Sequence, residues 1–238
     1  MPCLACCEPT ASRNLREAGS QTRKQPETLA VELEGRVETR LLQADLITEA
    51  GRALVCEAIV EQGPLEFLVN NAGFGATGIF AETDLESQQQ QVDLHITATL
   101  ALTHAALPAM LERKHGFIIN LSSVAAFSAY LAGMVYSGTK AFLNLFSEGL
   151  QMEVADRGLK IQSLCPGFTY SEFHDRETIA RAGFSRSQVP EEAWMTAAAV
   201  VESSLAALTR NKVIVVTGEH NLAVASQGVR EQLKQLSE

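Results

Sequence analysis

From about residue 37 onward, short apolar runs alternate with longer stretches of helical periodicity. Val37 to Ala44 is rich in β-formers and ends at Asp45, while Ile47 to Gln62 sets Leu54, Val55, Ala58 and Ile59 on one side of a helix. Leu65 to Val69, Gly116 to Leu121, Lys160 to Cys165 and Val213 to Val216 predict short apolar strands. Leu85 to Arg113 predicts one long helix that Pro108 kinks or interrupts, with the glutamine run Gln88 to Gln91 on its solvated face. Met134 to Arg157 and Leu222 to Leu236 read as amphipathic helices. Pro190 to Arg210 reads as another helix, with Pro190 at its first position, Glu191 and Glu192 at its positive end and Arg210 at its negative end. Continuous apolar strands separated by helices predict an α/β fold with a doubly wound parallel sheet covered on both faces. Ligands then bind beyond the carboxyl ends of the strands. That points to Asp45, Asn70 to Gly73, Ser122, Ser123, Pro166 and Gly167.

Composition narrows the picture. With 238 residues, 46% of them apolar, and no linker, the chain reads as one domain. A net charge of -9 argues against a nucleic-acid backbone or an anionic membrane surface as partner. No apolar run approaches a membrane span, and the N-terminus lacks a positive region followed by a long apolar segment, so a cytoplasmic location is expected. Cys3, Cys6 and Cys7 cluster, but a closed zinc site needs four ligands and no second pair appears, so they read as reduced thiols and no metal is expected.

Tyr136 and Lys140 stand four apart on a predicted helix and share a face. A cation one turn away favours the phenolate, lowers the tyrosine pKa and makes a proton donor and acceptor usable nearer neutrality. The bland alternative is a helix-surface pair. Ser123, at the end of the Gly116–Leu121 strand, either holds a substrate carbonyl beside the tyrosine or merely caps the strand end with Ser122. Asn70-Asn71-Ala72-Gly73 either admits a ligand to the backbone and bridges strand ends or is a simple turn.

In order and spacing, Asp45, Asn70-Asn71-Ala72-Gly73, Asn120-Leu121-Ser122-Ser123, Tyr136-Ser137-Gly138-Thr139-Lys140 and Pro166-Gly167 with Ser171 resemble the short-chain dehydrogenase/reductase family. Within the family the chain is most similar to the broad bacterial group of carbonyl reductases and alcohol dehydrogenases, over residues 23 to 217. The resemblance implies a Rossmann-like sheet and a carbonyl–alcohol interconversion by hydride transfer. It implies Tyr136 as proton donor and acceptor. Lys140 would lower the tyrosine pKa and bond the nicotinamide ribose, and Ser123 would orient the carbonyl. Asp45 and the Leu46 backbone would contact adenine. Asn70, Ala72 and Gly73 would line the adenosine side, and Pro166, Gly167 and Ser171 would border the nicotinamide. A homodimer or homotetramer is implied, with a small carbonyl or alcohol as substrate. Arg23 and Lys24 near the 2′-phosphate position favour NADP(H) over NAD(H). Phe168, Phe173 and Phe184 suggest an apolar substrate pocket.

Two departures stand out. Family members open with a strand and a Gly-rich turn whose helix N-terminus receives the pyrophosphate. Residues 1–22 hold one glycine, Gly19, and are too few for strand, turn, helix and second strand. They read as an atypical segment, with Met1 to Cys7 mimicking a first strand and 23–238 forming the domain. A truncated or rearranged start predicts poor stability and weak NADPH binding, and it leaves a catalytically impaired binding or oligomerisation module as the alternative function. The second departure is His95, which stands where the family has an Asn that holds a relay water. It reads equally as a titrating relay group and as a neutral helix histidine.

Overall fold

The computed structural model describes residues 3–7 (backbone alone), 31–32, 34, 36, 38–171, 173 and 186–237. In chain order the elements are β1 (Cys3–Cys7), β2 (Thr39–Gln43), α1 (Glu49–Gln62), β3 (Phe67–Asn70) and α2 (Leu85–Val92). A π turn at Asp93–Thr97 leads into α3 (Ala98–Arg113), followed by β4 (Gly116–Leu121), α4 (Met134–Val154), β5 (Leu159–Cys165) and β6 (Thr169–Tyr170). The chain closes with β7 (Met195–Thr196), α5 (Ala197–Leu208), β8 (Ile214–Val216) and α6 (Glu219–Ser237).

The main sheet has the order β3-β4-β5-β8, all parallel, with Ile118 opposite Ile161 and Asn70 opposite Asn120. Alternation of side chains sends Leu68, Ile118 and Ile161 into a core shared with Val55, Ile59, Leu94, Leu102 and Met110 of the helices on one face. Ile119, Leu164 and Val215 pack on the other face against Val200, Ala207 and Leu208 of α5. The helices sit on both faces of a parallel sheet, which is the architecture that the apolar pattern predicts.

β1 is a strand, paired in parallel with β2 from Cys3 opposite Thr39 to Cys7 opposite Gln43. The segment read as atypical therefore supplies a strand, but this pair is not hydrogen-bonded to β3. In the common doubly wound order 3-2-1-4-5-6, a strand separates lanes 2 and 4. Among the described residues, β3 has only β4 beside it. Phe67 and Val69 are 39% and 53% exposed, and Phe67 stacks on Phe117 at 4.5 Å. Residues 8–30, which include Gly19, Arg23 and Lys24, lie outside the described residues.

Four expectations need correction. The glutamine run is solvated only in part: Gln89 is exposed, but Gln88 and Gln91 are buried. α3 runs through Pro108, and the irregularity of the long helix lies at the π turn instead. Pro190 does not open α5: a short 3-10 turn Glu191–Ala193 and β7 intervene, and the Thr196 hydroxyl caps the helix by accepting from the Ala199 N–H at 3.1 Å. Finally, Leu85–Arg113 is by length and composition long and apolar enough to cross a membrane. Here it buries Leu94, Ala98, Leu102, Ala106 and Met110 in the protein core.

Candidate active site

The site lies at the carboxyl ends of β3, β4 and β5. α4 begins at Met134 after Gly133, whose missing side chain leaves room for the folded-back ring of Tyr130. Nearly two turns in, Lys140 is buried, and its Nζ donates to the Leu121 carbonyl at 2.7 Å. The Ser122 hydroxyl donates to the Lys140 carbonyl at 2.8 Å, which ties the end of β4 to the helix. Lys140 Nζ lies 5.6 Å from the centre of the Tyr136 ring. Ser123 accepts from the Ala125 N–H at 3.1 Å, so it caps the turn after β4 while standing beside Tyr136. Its capping role is compatible with its place beside the tyrosine.

The electrostatics run against the expected lowering of the tyrosine pKa. Burial pushes the Tyr136 phenol well above its ordinary value, the Ser123 hydroxyl partly offsets this, and Tyr130 adds to the rise. Burial lowers Lys140 to about 8, opposed in part by Cys165. The lysine ammonium is turned to the Leu121 carbonyl, and desolvation dominates both groups. The protonated tyrosine is thus the resting form, suited to giving a proton to a carbonyl oxygen.

The other expected residues separate into two groups. Asn70 Nδ2 donates to Asn120 Oδ1 at 2.8 Å and to Thr103 Oγ1 at 3.2 Å, bridging strand ends, while its buried Oδ1 has no hydrogen-bond partner among the described residues. Leu46 buries its side chain in the core, and Arg52 donates to the Leu46 and Ile47 carbonyls at 3.1 and 2.6 Å. Asp45 Oδ1 accepts from the Ile47 N–H at 3.0 Å. Ala72 packs against the core, whereas Gly73 sits directly against the active helix. A Cβ at Gly73 would lie 3.0 Å from His95 Nε2 and 3.6 Å from Lys140 Nζ. The Pro166 carbonyl accepts from the Val124 N–H at 3.0 Å, and Gly167 leaves space that Asn221 fills. Ser171 is exposed, and its carbonyl accepts from Arg186 at 3.1 Å. Phe173 lies 6.0 Å from the Tyr136 ring, and Phe168 and Tyr170 flank Trp194 at 5.4 and 5.0 Å. Phe184 is outside the described residues.

Sequence reasoning missed the roles of Gln91 and Thr139, which brace the site through His95 and Ala76. The available signal was the spacing of Gln91 and His95, four apart on one helix face. Among the described residues there is no cluster of three or more His, Cys, Asp or Glu able to hold a metal. The donors present fit a dinucleotide on its nicotinamide side: a buried lysine and a tyrosine hydroxyl beside a glycine turn suit ribose hydroxyls. No Gly-rich turn for the pyrophosphate lies among the described residues.

A doubly wound parallel sheet whose strand ends gather a serine, a tyrosine and a lysine is the arrangement of a nicotinamide-dependent dehydrogenase class. Comparison with known proteins agrees. The family model described as short chain dehydrogenase matches residues 4–181. Serine 3-dehydrogenases of Rhizobium radiobacter and Agrobacterium fabrum are 45% and 42% identical over 120 residues. Those residues are 50% of this chain and 46% of each relative, so the chain matches about half the length of these curated relatives. An uncharacterized oxidoreductase of Staphylococcus saprophyticus is 32% identical over 164 residues, 59% of this chain and 70% of that protein. A short-chain dehydrogenase from Sphingobium yanoikuyae, solved in complex with NADPH, superposes with a TM-score of 0.73 at 26% identity, covering 98% of this chain and 85% of that one. The chain belongs to the short-chain dehydrogenase family.

Proposed function

We propose that the protein is an NADP(H)-dependent oxidoreductase that interconverts a small carbonyl compound and its alcohol. The observation that carries this reading is the half-buried Tyr136 paired with the buried Lys140 beside Ser123, at the carboxyl end of a parallel sheet. Bound nicotinamide would supply or accept the hydride. Tyr136, protonated at rest, gives its proton to the carbonyl oxygen and takes one back from the alcohol in reverse. Ser123 steadies that oxygen. Lys140 offers N–H donors beyond the one given to Leu121, which suit ribose hydroxyls, and its charge steadies the phenolate left after proton transfer. Asp45, the Leu46 backbone, Ala72 and Gly73 are the residues proposed for the adenosine side. Pro166, Gly167 and Ser171 are proposed to border the nicotinamide. Phe173 walls the substrate side.

NADP(H) ahead of NAD(H) rests on Arg23 and Lys24 and on the NADPH-bound relative. The relatives named serine 3-dehydrogenase make serine and other short 3-hydroxy acids the first substrates to assay. The proposed location is the cytoplasm. NADPH fluorescence titration tests the reading, with saturable binding expected at a Kd weaker than about 10 μM because the pyrophosphate lacks an assigned cradle. No saturable change up to about 5 mM would overturn it in favour of a binding or oligomerisation module.

We further propose a homodimer or homotetramer. Leu145 and Met152 of α4 are 73% and 82% exposed, and Leu85 and Leu100 on the other long helix are also exposed. Apolar surface of this kind on long helices suits an isologous contact. Light scattering at micromolar concentration should give at least twice the 25.7 kDa chain mass, and a monomer would count against the assembly.

A further inference from the structure

We propose that His95, together with Gln91 one turn earlier, is a positioning residue that pins the turn after β3 to the active helix, and that it carries no proton in the reaction. The inference rests on the reading of Tyr136 and Lys140 as the reacting pair, but its geometry stands apart from any cofactor. Both ring nitrogens of the buried His95 are engaged. Nε2 accepts from the Phe74 N–H at 3.2 Å, and Nδ1 lies 2.8 Å from Thr139 Oγ1. The Thr139 hydroxyl has a single proton, which it donates to the Tyr136 carbonyl at 2.8 Å. It must therefore accept from His95, so the proton sits on Nδ1 and the ring is neutral. A second proton, on Nε2, would point at the Phe74 N–H, donor against donor. Burial and the nearby Lys140 ammonium both disfavour the imidazolium as well.

Gln91 makes the second half of the brace. Its Oε1 accepts from the Ala76 N–H at 3.2 Å, and its Nε2 donates to the Ala76 carbonyl at 3.4 Å and to Gln88 Oε1 at 2.9 Å. One helix face thus reads two backbone positions of the turn, Phe74 through His95 and Ala76 through Gln91. Through Thr139 the same imidazole holds the backbone of Tyr136. The consequence falls on Gly73, which is wedged between His95 Nε2 and Lys140 Nζ. Fixing Phe74 fixes the distance between the β3 turn and the lysine. A ring with both nitrogens occupied has none left for a water, so the His95 side chain does not hold a relay water.

The test uses the full chain without cofactor. Nitrogen-15 spectra of the imidazole should show the Nδ1-protonated neutral form with no titration between about pH 5 and 9. Amide hydrogen exchange at Phe74 and Ala76 reads the brace directly. His95→Leu should speed exchange at Phe74 about tenfold and leave Ala76 within about threefold, and Gln91→Ala should do the reverse. A Gln side chain carries an acceptor and a donor spaced like the two ring nitrogens, and it cannot titrate. His95→Gln should therefore keep Phe74 within about threefold of the parent, while His95→Asn, one methylene shorter, should fall toward His95→Leu. A proton on Nε2, a ring titrating near 6.5, or protection retained by Asn and lost by Gln would overturn the proposal. Should Tyr136→Phe leave turnover intact, the catalytic reading fails while these exchange results keep their meaning for the brace.

Discussion

Replacing Tyr136 by Phe is expected to lower turnover by at least the roughly 10²-fold that accompanies loss of a general acid/base. The substitution deletes one oxygen and keeps the ring, so the contacts at 6.0 Å with Phe173 and 5.8 Å with His95 survive. The deleted hydroxyl is held protonated by its burial, so the loss falls on proton transfer rather than on binding. KM for the cofactor should rise only modestly, because the phenol is one of the donors that suit the ribose and Lys140 remains. Steady-state kinetics on any carbonyl that the parent reduces decides the matter. Turnover within a few-fold of the parent would rule out Tyr136 as the proton donor.

The second large effect has opposite signs for stability and activity. Lys140→Met is expected to abolish measurable turnover and, at pH 7, to stabilise the fold. Burial lowers the lysine from 10.5 to about 8, a difference of 2.5 units. At 1.36 kcal/mol per unit this is a penalty of about 3 kcal/mol. Removing the ammonium also strands the Leu121 carbonyl, at a cost of about 1–3 kcal/mol. A net gain of about 0–2 kcal/mol remains. Between about pH 8 and 10.5 the unfolded chain binds more protons than the folded one, so the stability of the parent rises with pH through that window. The advantage of the variant is therefore present at pH 7 and shrinks toward about pH 10. Denaturant unfolding at pH 7 and about pH 9.5 checks this. A variant less stable at both would show that the hydrogen bond to Leu121 outweighs the buried charge.

Much of this could be read from residue patterns. Strand positions such as Gly116–Leu121 and the long helices were legible because buried strands and amphipathic helices have different periods. Tyr136, Lys140 and Ser123 were legible as a constellation because local spacing sets which side chains share a face. What periodicity does not encode is burial of polar residues by long-range partners. Gln91 looks solvated until the Ala76 backbone, fifteen residues upstream, is seen to bond both ends of its amide. The direction of the Tyr136 shift was missed for a related reason. The lysine is one turn away in sequence, but desolvation by the surrounding fold outweighs it. The bridging of strand ends expected of Asn70 is made by its Nδ2, but its partners Asn120 and Thr103 are remote in sequence and could not be named from spacing. Pro190 carries a strong helix-start signal, yet the β6–β7 pairing of Tyr170 with Thr196 claims the next residues first.

The π turn at Asp93–Thr97 makes this stretch intolerant of a change in length. An α-helix advances about 100° per residue, so deleting one residue from the π turn would swing everything upstream by about that angle relative to α3. Gln91 would leave Ala76 and point away from the turn, whereas substitutions at the exposed Leu100 would leave the register untouched. Natural variation here is therefore expected to proceed by exchange of side chains, with single-residue insertions and deletions confined to the loops on either side.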